Sequence, residues 1–397
     1  MQYRAVSEQE RLELMELQAQ AFFFTYDRER YADQMAGGDP RKSGRVVFDE
    51  QGKLAAGMEL IPFDCWLDGN AVGMGGVAGV ASWPERRNEG FVKELMRQAI
   101  NEMHERGDVF SFLYSFSNRF YRKFGYEACY KALRVKAPLE PLQAWKQPGS
   151  AVRFIPGKDG SDPGPIIEIY NDFAWRYNLA LDREGWRWHG LLETDPMKTK
   201  RQAYIWHGED GQPGAYVLFR AEPDNEPEVL HVLEAGWKTL EALKGLLGFL
   251  GGFGSNLKTI DWELPPDLDP NLIWPECKAV KTELIHDGMC RVVNAAKALR
   301  LMAKPEGKGS VRVSLSDDGL PANTGVYKID WENGEGHVRR AKGAADLECS
   351  VQALSQLVTG YLPLEQLRFR DDVTVNSKAE ELGKLFRMKS IYLQDKF

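Results

Sequence analysis

The chain is 397 residues long, with 43% hydrophobic and 27% charged residues and a formal net charge of −7. That length is too great for one core and predicts two or three domains of ordinary globular composition. The negative balance argues against a broad nucleic-acid surface, and the most apolar window, Leu243 to Phe253, is too short and too glycine-rich to span a bilayer.

The N-terminal stretch reads as an acidic helix and not as a secretion leader. Ser7 followed by Glu10 has the capping-box pattern and starts that helix, which runs to about Phe24. Arg45 to Phe48 and Leu54 to Phe63 read as strands joined by a turn at Asp49-Glu50-Gln51-Gly52. Ala71 to Ser82 is a further strand. The segment from about Gly90 to Glu105 repeats Phe91, Leu95, Met96, Ala99, Ile100 and Met103 on one helical face and stops at Gly107. A strand over Val109 to Ser115, a short helix over Ser117 to Phe124 and a last strand over Glu127 to Lys136 complete a first block of mixed order.

Pro138 to Asp162, rich in Pro and Gly, reads as a linker. In the second block, helices are expected over Pro165–Arg176 and Arg183–Leu192, with Trp175, Trp186 and Trp188 as packing anchors. A hairpin of Ala203–His207 and Ala215–Arg220 follows, then a strand at Val229–Leu233 and a helix at Thr239–Phe249. From Met289 the character changes: helices at Asn294–Ala303, Ser350–Val358, Leu362–Arg368 and Lys378–Leu385 alternate with strands at Gly309–Leu315, Gly325–Trp331 and Gly336–Arg340.

The stretch from Gly76 to Met96 carries the chemistry. A strand of small residues meets a turn at Trp83-Pro84, and Arg86-Arg87-Asn88-Glu89-Gly90 opens the amphipathic helix. A helix start has unpaired N–H groups and the positive end of the macrodipole, so it seats a phosphate. Gly90 removes a side chain that would hold the phosphate away. Elsewhere the chain offers little. Five scattered cysteines (Cys65, Cys129, Cys277, Cys290, Cys349) form no Cys-x-x-Cys pair, which predicts reduced thiols in a cytoplasm. Six histidines lack paired ligand spacing, so no metal is expected.

Arg87-x-x-Gly90 after a strand resembles the acyl-CoA pyrophosphate loop of the GCN5-related N-acetyltransferases. Three runs together are similar to that superfamily's enhanced-intracellular-survival (Eis-type) branch: Val80-Ala81-Ser82-Trp83-Pro84-Glu85-Arg86-Arg87-Asn88-Glu89-Gly90, Asn118-Arg119-Phe120-Tyr121-Arg122-Lys123-Phe124-Gly125-Tyr126, and Cys290-Arg291-Val292-Val293-Asn294. The resemblance implies a mixed α/β (α+β) chain of two tandem acetyltransferase-like domains followed by a sterol-carrier-protein-like α/β domain. The divisions are set at 1–137, 138–288 and 289–397, and the second domain lacks Arg-x-x-Gly. It implies acetyl-CoA as donor, a primary amine as acceptor (a small-molecule amine, with aminoglycosides or lysine side chains as further options), no nucleic-acid or membrane partner, and a homohexamer.

The resemblance also supplies roles. Amides around Arg87, Asn88, Gly90 and Phe91 hold the diphosphate. Val80 and Ser82 bind the pantetheine arm and thioester, with the Val80 N–H as oxyanion donor, although Val80 also suits simple packing. Asn118 has two readings, a pantetheine contact and a helix cap. Tyr121 is the general acid, since a phenol stays protonated at neutral pH. The α-carboxylate of Phe397 is the base, its ring anchoring the tail in an apolar pocket, whereas Lys396 argues against a polycationic acceptor. Phe22, Phe23, Phe24, Tyr26 and Trp66 are acceptor-pocket candidates or plain core. The rival readings are an acyl-CoA or lipid carrier without turnover, and a third domain that serves only assembly and tail placement.

Overall fold

The computed structural model describes residues 1–29, 31, 43–156, 162–192, 200–221 and 228–397. They form two compact units, Met1–Cys129 with Asp287–Lys389 and Asp395–Phe397, and Tyr130–His286 with Ser390–Gln394. No helix among the described residues is long and apolar enough to cross a membrane.

In the first unit, β1 (Gln2–Ala5) pairs with β2 (Gly44–Phe48), which turns into β3 (Leu54–Leu67) through Asp49 to Gly52. Asp49 Oδ1 accepts the amides of Gln51 and Lys53 at 2.9 Å, and Gly52 takes φ +75°, so the predicted turn follows from local chemistry. β4 (Asn70–Ser82) returns antiparallel to β3. The crossover helix α2 (Phe91–Arg106) leads to β5 (Phe110–Tyr114), parallel to β4. All six residues of the predicted apolar face of α2 are buried, and Gly107, at φ +87°, caps the helix. The five larger of these side chains each contribute roughly 1.5–3 kcal/mol, Ala99 less, which makes α2 the clasp of the β4–β5 pair. A short helix α3 (Asn118–Arg122) and β6 (Glu127–Ala128) follow.

Two departures from a regular sheet matter. β4 and β5 pair only at Met74–Phe110, Gly75–Ser111 and Gly76–Phe112; beyond Gly76 the strands part. Between Gly57 and Glu59 the β3–β4 register slips, so that Gly79 and Val80 together face Met58. This is a bulge, which leaves one residue out of the ladder. Gly79 sits at φ +57°, and its carbonyl accepts Gln18 Nε2 of α1 (Arg11–Phe22) at 3.1 Å.

The strand expected over Glu127 to Lys136 is broken. Only Glu127–Ala128 stays in the first sheet, and Ala132–Pro138 belongs to the sheet of the second unit. The place beside β5 is taken by Gly288–Val292, which returns from far along the chain and is buried at every residue. The remaining C-terminal part is a five-stranded sheet in the order Glu335–Ala341, Gly325–Glu332, Lys308–Ser316, Leu347–Ser350, Val373–Val375, with helices Ala295–Leu301, Val351–Thr359 and Ala379–Leu385.

The second unit has the strand order Lys281–Ile285, Ala132–Pro138, Thr259–Leu264, Val229–Trp237, Pro213–Ala221, Arg201–Gly208, Gly149–Phe154. Helix Leu240–Gly251 crosses between the parallel strands Val229–Trp237 and Thr259–Leu264, as α2 does in the first unit. The predicted linker holds a 3-10 turn at Glu140–Trp145 and the strand Gly149–Phe154; part of it, 157–161, lies outside the described residues. The junction after Leu233 continues the strand to Trp237. Of the tryptophans expected as anchors, Trp188 is buried and Trp175 is exposed.

Gly79 leaves little room for a side chain. A Cβ there would stand 2.5 Å from Gln18 Nε2, and the left-handed backbone adds roughly 1–2 kcal/mol of strain for a side-chain-bearing residue. Gly79→Ala is therefore expected to lower the melting temperature in a thermal unfolding scan. An unchanged melt would show that the bulge does not need its glycine.

Candidate functional site

The loop after β4 is built from beneath. Trp83 Nε1 donates to the Leu54 carbonyl at 2.9 Å, and Pro84–Arg86 makes one 3-10 turn. Arg86 pairs with Asp49 at 2.8 Å and with Glu89 at 3.1 Å, and its guanidinium lies 4.8 Å from the centre of the Phe91 ring. Its hydrogen bond holds the Asp49 carboxyl below the usual range. Arg86 is thus neutralised and braces the loop. Arg87, exposed, has no carboxylate partner among the described residues.

Asn88 (φ +69°) and Gly90 (φ +88°) both take the left-handed conformation. The amides from Asn88 through Lys93 find no acceptor among the described residues. Successive free amides in such a turn, opening onto a helix start, form an anion-binding concavity. Nothing lies within 4 Å of a Cβ built on Gly90, so the space above it is open.

These residues border a cavity of about 1120 Å³. β4 supplies Val80, Ala81 and Ser82; the loop and helix start supply Arg87, Asn88, Gly90, Phe91 and Lys93; Phe116, Phe120, Lys123 and Phe124 stand on or beside α3; and Asp318 and Gly319 come from the C-terminal part of the unit. Six of the seven expected cofactor residues therefore meet here. The seventh, Asn118, is the first residue of α3 and does not border the cavity; Ser117 caps the helix, its Oγ accepting the Phe120 amide. Lys93 and Lys123, like Arg87, lack a carboxylate partner among the described residues, whereas Arg97 is bound by Glu94 at 2.7 Å.

Tyr121 lies under this wall. It is buried in the cluster that Val80 packs against, with ring neighbours Phe116 (5.5 Å), Phe120 (5.1 Å) and Tyr126 (6.1 Å). Its hydroxyl bonds to no group among the described residues, and burial pushes its pKa up to about 12. Tyr126 is structural: its fully buried hydroxyl meets Ser111 Oγ at 2.7 Å, and Ser111 donates to the Gly75 carbonyl at 2.9 Å, tying this region to β4 just below the fork.

The tail reaches the same fork. The Phe397 ring lies 4.8 Å from Phe63, 6.1 Å from Phe112 and 5.7 Å from Tyr114. A Cβ on Gly76 would stand 2.8 Å from the ring of Phe397. Tyr114 donates its hydroxyl to the Asp395 carbonyl at 2.7 Å, and Lys396, exposed, places Nζ 4.6 Å from the Tyr114 ring centre.

The aromatic run near the end of α1 is not core. Phe22 borders the cavity at 49% exposure, and Phe23 and Phe24 are 93% and 42% exposed. Tyr26 packs edge-on against Tyr31, and Trp66 lies on β3 away from the cavity. Lys93, Lys123, Asp318 and Gly319 were not anticipated. The two lysines flank motifs visible in the sequence; the Asp318-Gly319 turn carries no local signal at all.

Known families fit this geometry. Residues 2–129 and 179–296 each match an acetyltransferase (GNAT) domain model, and residues 292–394 match a sterol carrier protein domain. A GCN5-related N-acetyltransferase from Anabaena variabilis superposes with TM-score 0.88 at 24% identity, over 100% of both chains. A conserved protein from Enterococcus faecalis described as a probable N-acyltransferase gives 0.86 at 22%, over 100% of this chain and 99% of that one. Eis1 from Mycobacterium abscessus gives 0.80 at 18%, over 100% of both chains. No curated protein sequence matches the chain. Fold and domain content together define an acyltransferase of mixed α/β architecture. The chain belongs to the GCN5-related N-acetyltransferase superfamily and has the full-length fold of Eis1.

Gly90 separates space from charge. Gly90→Ala, meeting no neighbour, is expected to weaken CoA binding only about fivefold through backbone strain. Gly90→Glu, which sets a carboxylate in the concavity, is expected to abolish the calorimetric signal with CoA. Equal affinities for the two variants would show that the loop seats no phosphate.

Proposed function

We propose that the first unit binds acetyl-CoA in the cavity between β4 and α3 and transfers its acetyl group directly to a primary amine. The observation that carries this reading is the run of free amides from Asn88 to Lys93, opening with Arg87, Lys93 and Lys123 onto a strand that has parted from its neighbour. The Arg87 amide is spent on the Pro84 carbonyl at 3.4 Å, so the amides of Asn88, Gly90 and Phe91 hold the diphosphate, with the Arg87 side chain beside them. Val80 and Ser82 border the pantetheine arm and the thioester. The bulge at Gly79–Val80 breaks the ladder where an oxyanion donor is needed, and the Val80 N–H fills that role; one such donor contributes about 10²–10³ in rate.

The amine nitrogen attacks the thioester carbonyl and the C–S bond breaks. The ammonium proton passes to the α-carboxylate of Phe397, and the departing thiolate takes its proton from Tyr121. The acceptor approaches past Lys396, so a mono-amine suits the site better than a polycation. We read the chain as three parts divided at 137 and 288, two acetyltransferase modules and a sterol-carrier module; the family matches themselves span 2–129, 179–296 and 292–394. The second module takes no part in cofactor binding: Glu209, Asp210 and Glu241 crowd the cleft at the start of its helix Leu240–Gly251, the wrong sign for a phosphate.

Tyr121→Phe is expected to lower kcat by about 10² or more with little change in KM for acetyl-CoA, read by thiol release on an amine panel. An unaltered kcat would reject Tyr121 as the acid, and CoA binding without turnover on any amine would favour the carrier reading. Because burial raises the Tyr121 pKa to about 12, the phenol remains the proton donor through neutral and mildly alkaline pH. No loss of kcat from its ionisation is expected below about pH 11. Deleting Asp395 to Phe397 is expected to reduce kcat while calorimetric binding of CoA persists; an unchanged kcat would remove the tail from the mechanism.

A further inference from the structure

The helix that carries Tyr121 is five residues long, too short to hold a direction by its own hydrogen bonds. Its orientation must come from what grips its ends. The N-terminal end has the Ser117 cap. The other end is gripped from the sterol-carrier part of the chain. Gln352 Nε2 donates to the Arg122 carbonyl at 3.1 Å, and Arg291 Nη1 donates to the Phe124 carbonyl at 2.5 Å. These carbonyls lie one and three residues beyond Tyr121.

Arg291 is itself fixed. It is fully buried, and its Nη2 lies 2.7 Å from both carboxylate oxygens of Asp317, which is equally buried. Asp317 accepts in turn from the amides of Gly319 and Leu320 and from Asn323 Nδ2, at 3.2, 3.1 and 3.0 Å. The approach of the guanidinium depends on Gly125, at φ +82°, where any Cβ would collide with Arg291 Nη1. The same Asp317 turn sets Asp318 and Gly319 on the cavity wall. A buried ion pair adds little net stability compared with apolar packing. What this pair supplies is a fixed position for the Phe124 carbonyl.

We propose that Arg291, held by Asp317, and Gln352 are positioning residues that clamp α3 so that the Tyr121 hydroxyl points at the thioester sulfur. The sterol-carrier module then sets the acid as well as carrying the tail. This rests on the reading of Tyr121 as general acid. Positioning errors of about 1 Å can cost about 10² in rate.

The test is a set of double-mutant cycles on the full chain, measuring kcat, KM for acetyl-CoA, and melting temperature. Arg291→Lys is expected to lower kcat about tenfold or more and Gln352→Ala about threefold, each with KM for acetyl-CoA within about twofold of the parent. In a Tyr121→Phe background neither substitution is expected to lower kcat further. Equal losses in both backgrounds would mean general damage and overturn the clamp, as would an unchanged kcat in both folded variants. Should Arg291→Lys fail to fold, Gln352→Ala, at a half-buried side chain, decides alone. Tyr121→Phe with parental kcat would instead overturn the acid assignment on which the clamp depends, and that outcome is read from the single variant.

Discussion

Beyond Gly76 the parallel strands β4 and β5 share no further hydrogen bonds, and the rest of the site is arranged around the wedge they leave. A strand that loses its neighbour presents unpaired backbone groups, which an extended ligand arm can meet as a neighbouring strand would. The apex is closely packed. A side chain on Gly75 would collide with Met103 of α2, and one on Gly76 would meet Phe63 and Phe397. Below the apex, Tyr126 and Ser111 tie β5 to the Gly75 carbonyl. Glycine thus stands at the two apex positions where a side chain would clash, and hydrogen bonds close the sheet below.

The charges follow the same geometry. A chain of net charge −7 still presents a mouth with more cations than acids, Asp318 being the one carboxylate among its lining residues. Asp49 and Glu89 neutralise Arg86, and Glu94 neutralises Arg97. Arg87, Lys93 and Lys123 are left with no such partner among the described residues. Adjacent arginines therefore have different tasks, one holding the loop and one offered to an anion. Deeper in, aromatic rings and the buried Tyr121 replace charge.

Elements were legible where a periodic pattern met a chemical stop. The α2 face, Gly107 behind it and the Asp49–Gly52 turn were all plain in the sequence, as was the free helix start at Gly90. Strands buried on both faces were not. Gly288–Val292 has no alternation to betray it, and its place in the first sheet depends on contacts made far along the chain. Pro and Gly between 138 and 156 suggested a linker, yet Gly149 is there because a Cβ would run into Trp206 and the His207 backbone. The bulge had one available signal, a glycine inside a strand of small residues. The wall at Asp318-Gly319 had none, since only tertiary folding brings that turn to the cavity.

The C-terminal module is joined to the acetyltransferase core at both ends of β4. At the β3–β4 hairpin, Asp68 accepts the Ala303 amide at 2.7 Å and Lys389 Nζ at 2.6 Å. At the fork, Phe397 packs against Gly76. Beyond β5, Gly288–Val292 completes the sheet, and Arg291 within that strand reaches the end of α3. A module that merely brought the chain's tail to the site would need only the second of these attachments. One that also fixes the strand bearing Val80 and the helix bearing Tyr121 needs all of them. The bulge at Gly79–Val80, the five-residue helix of Tyr121 and the ring of Phe397 are thus all braced by the same body.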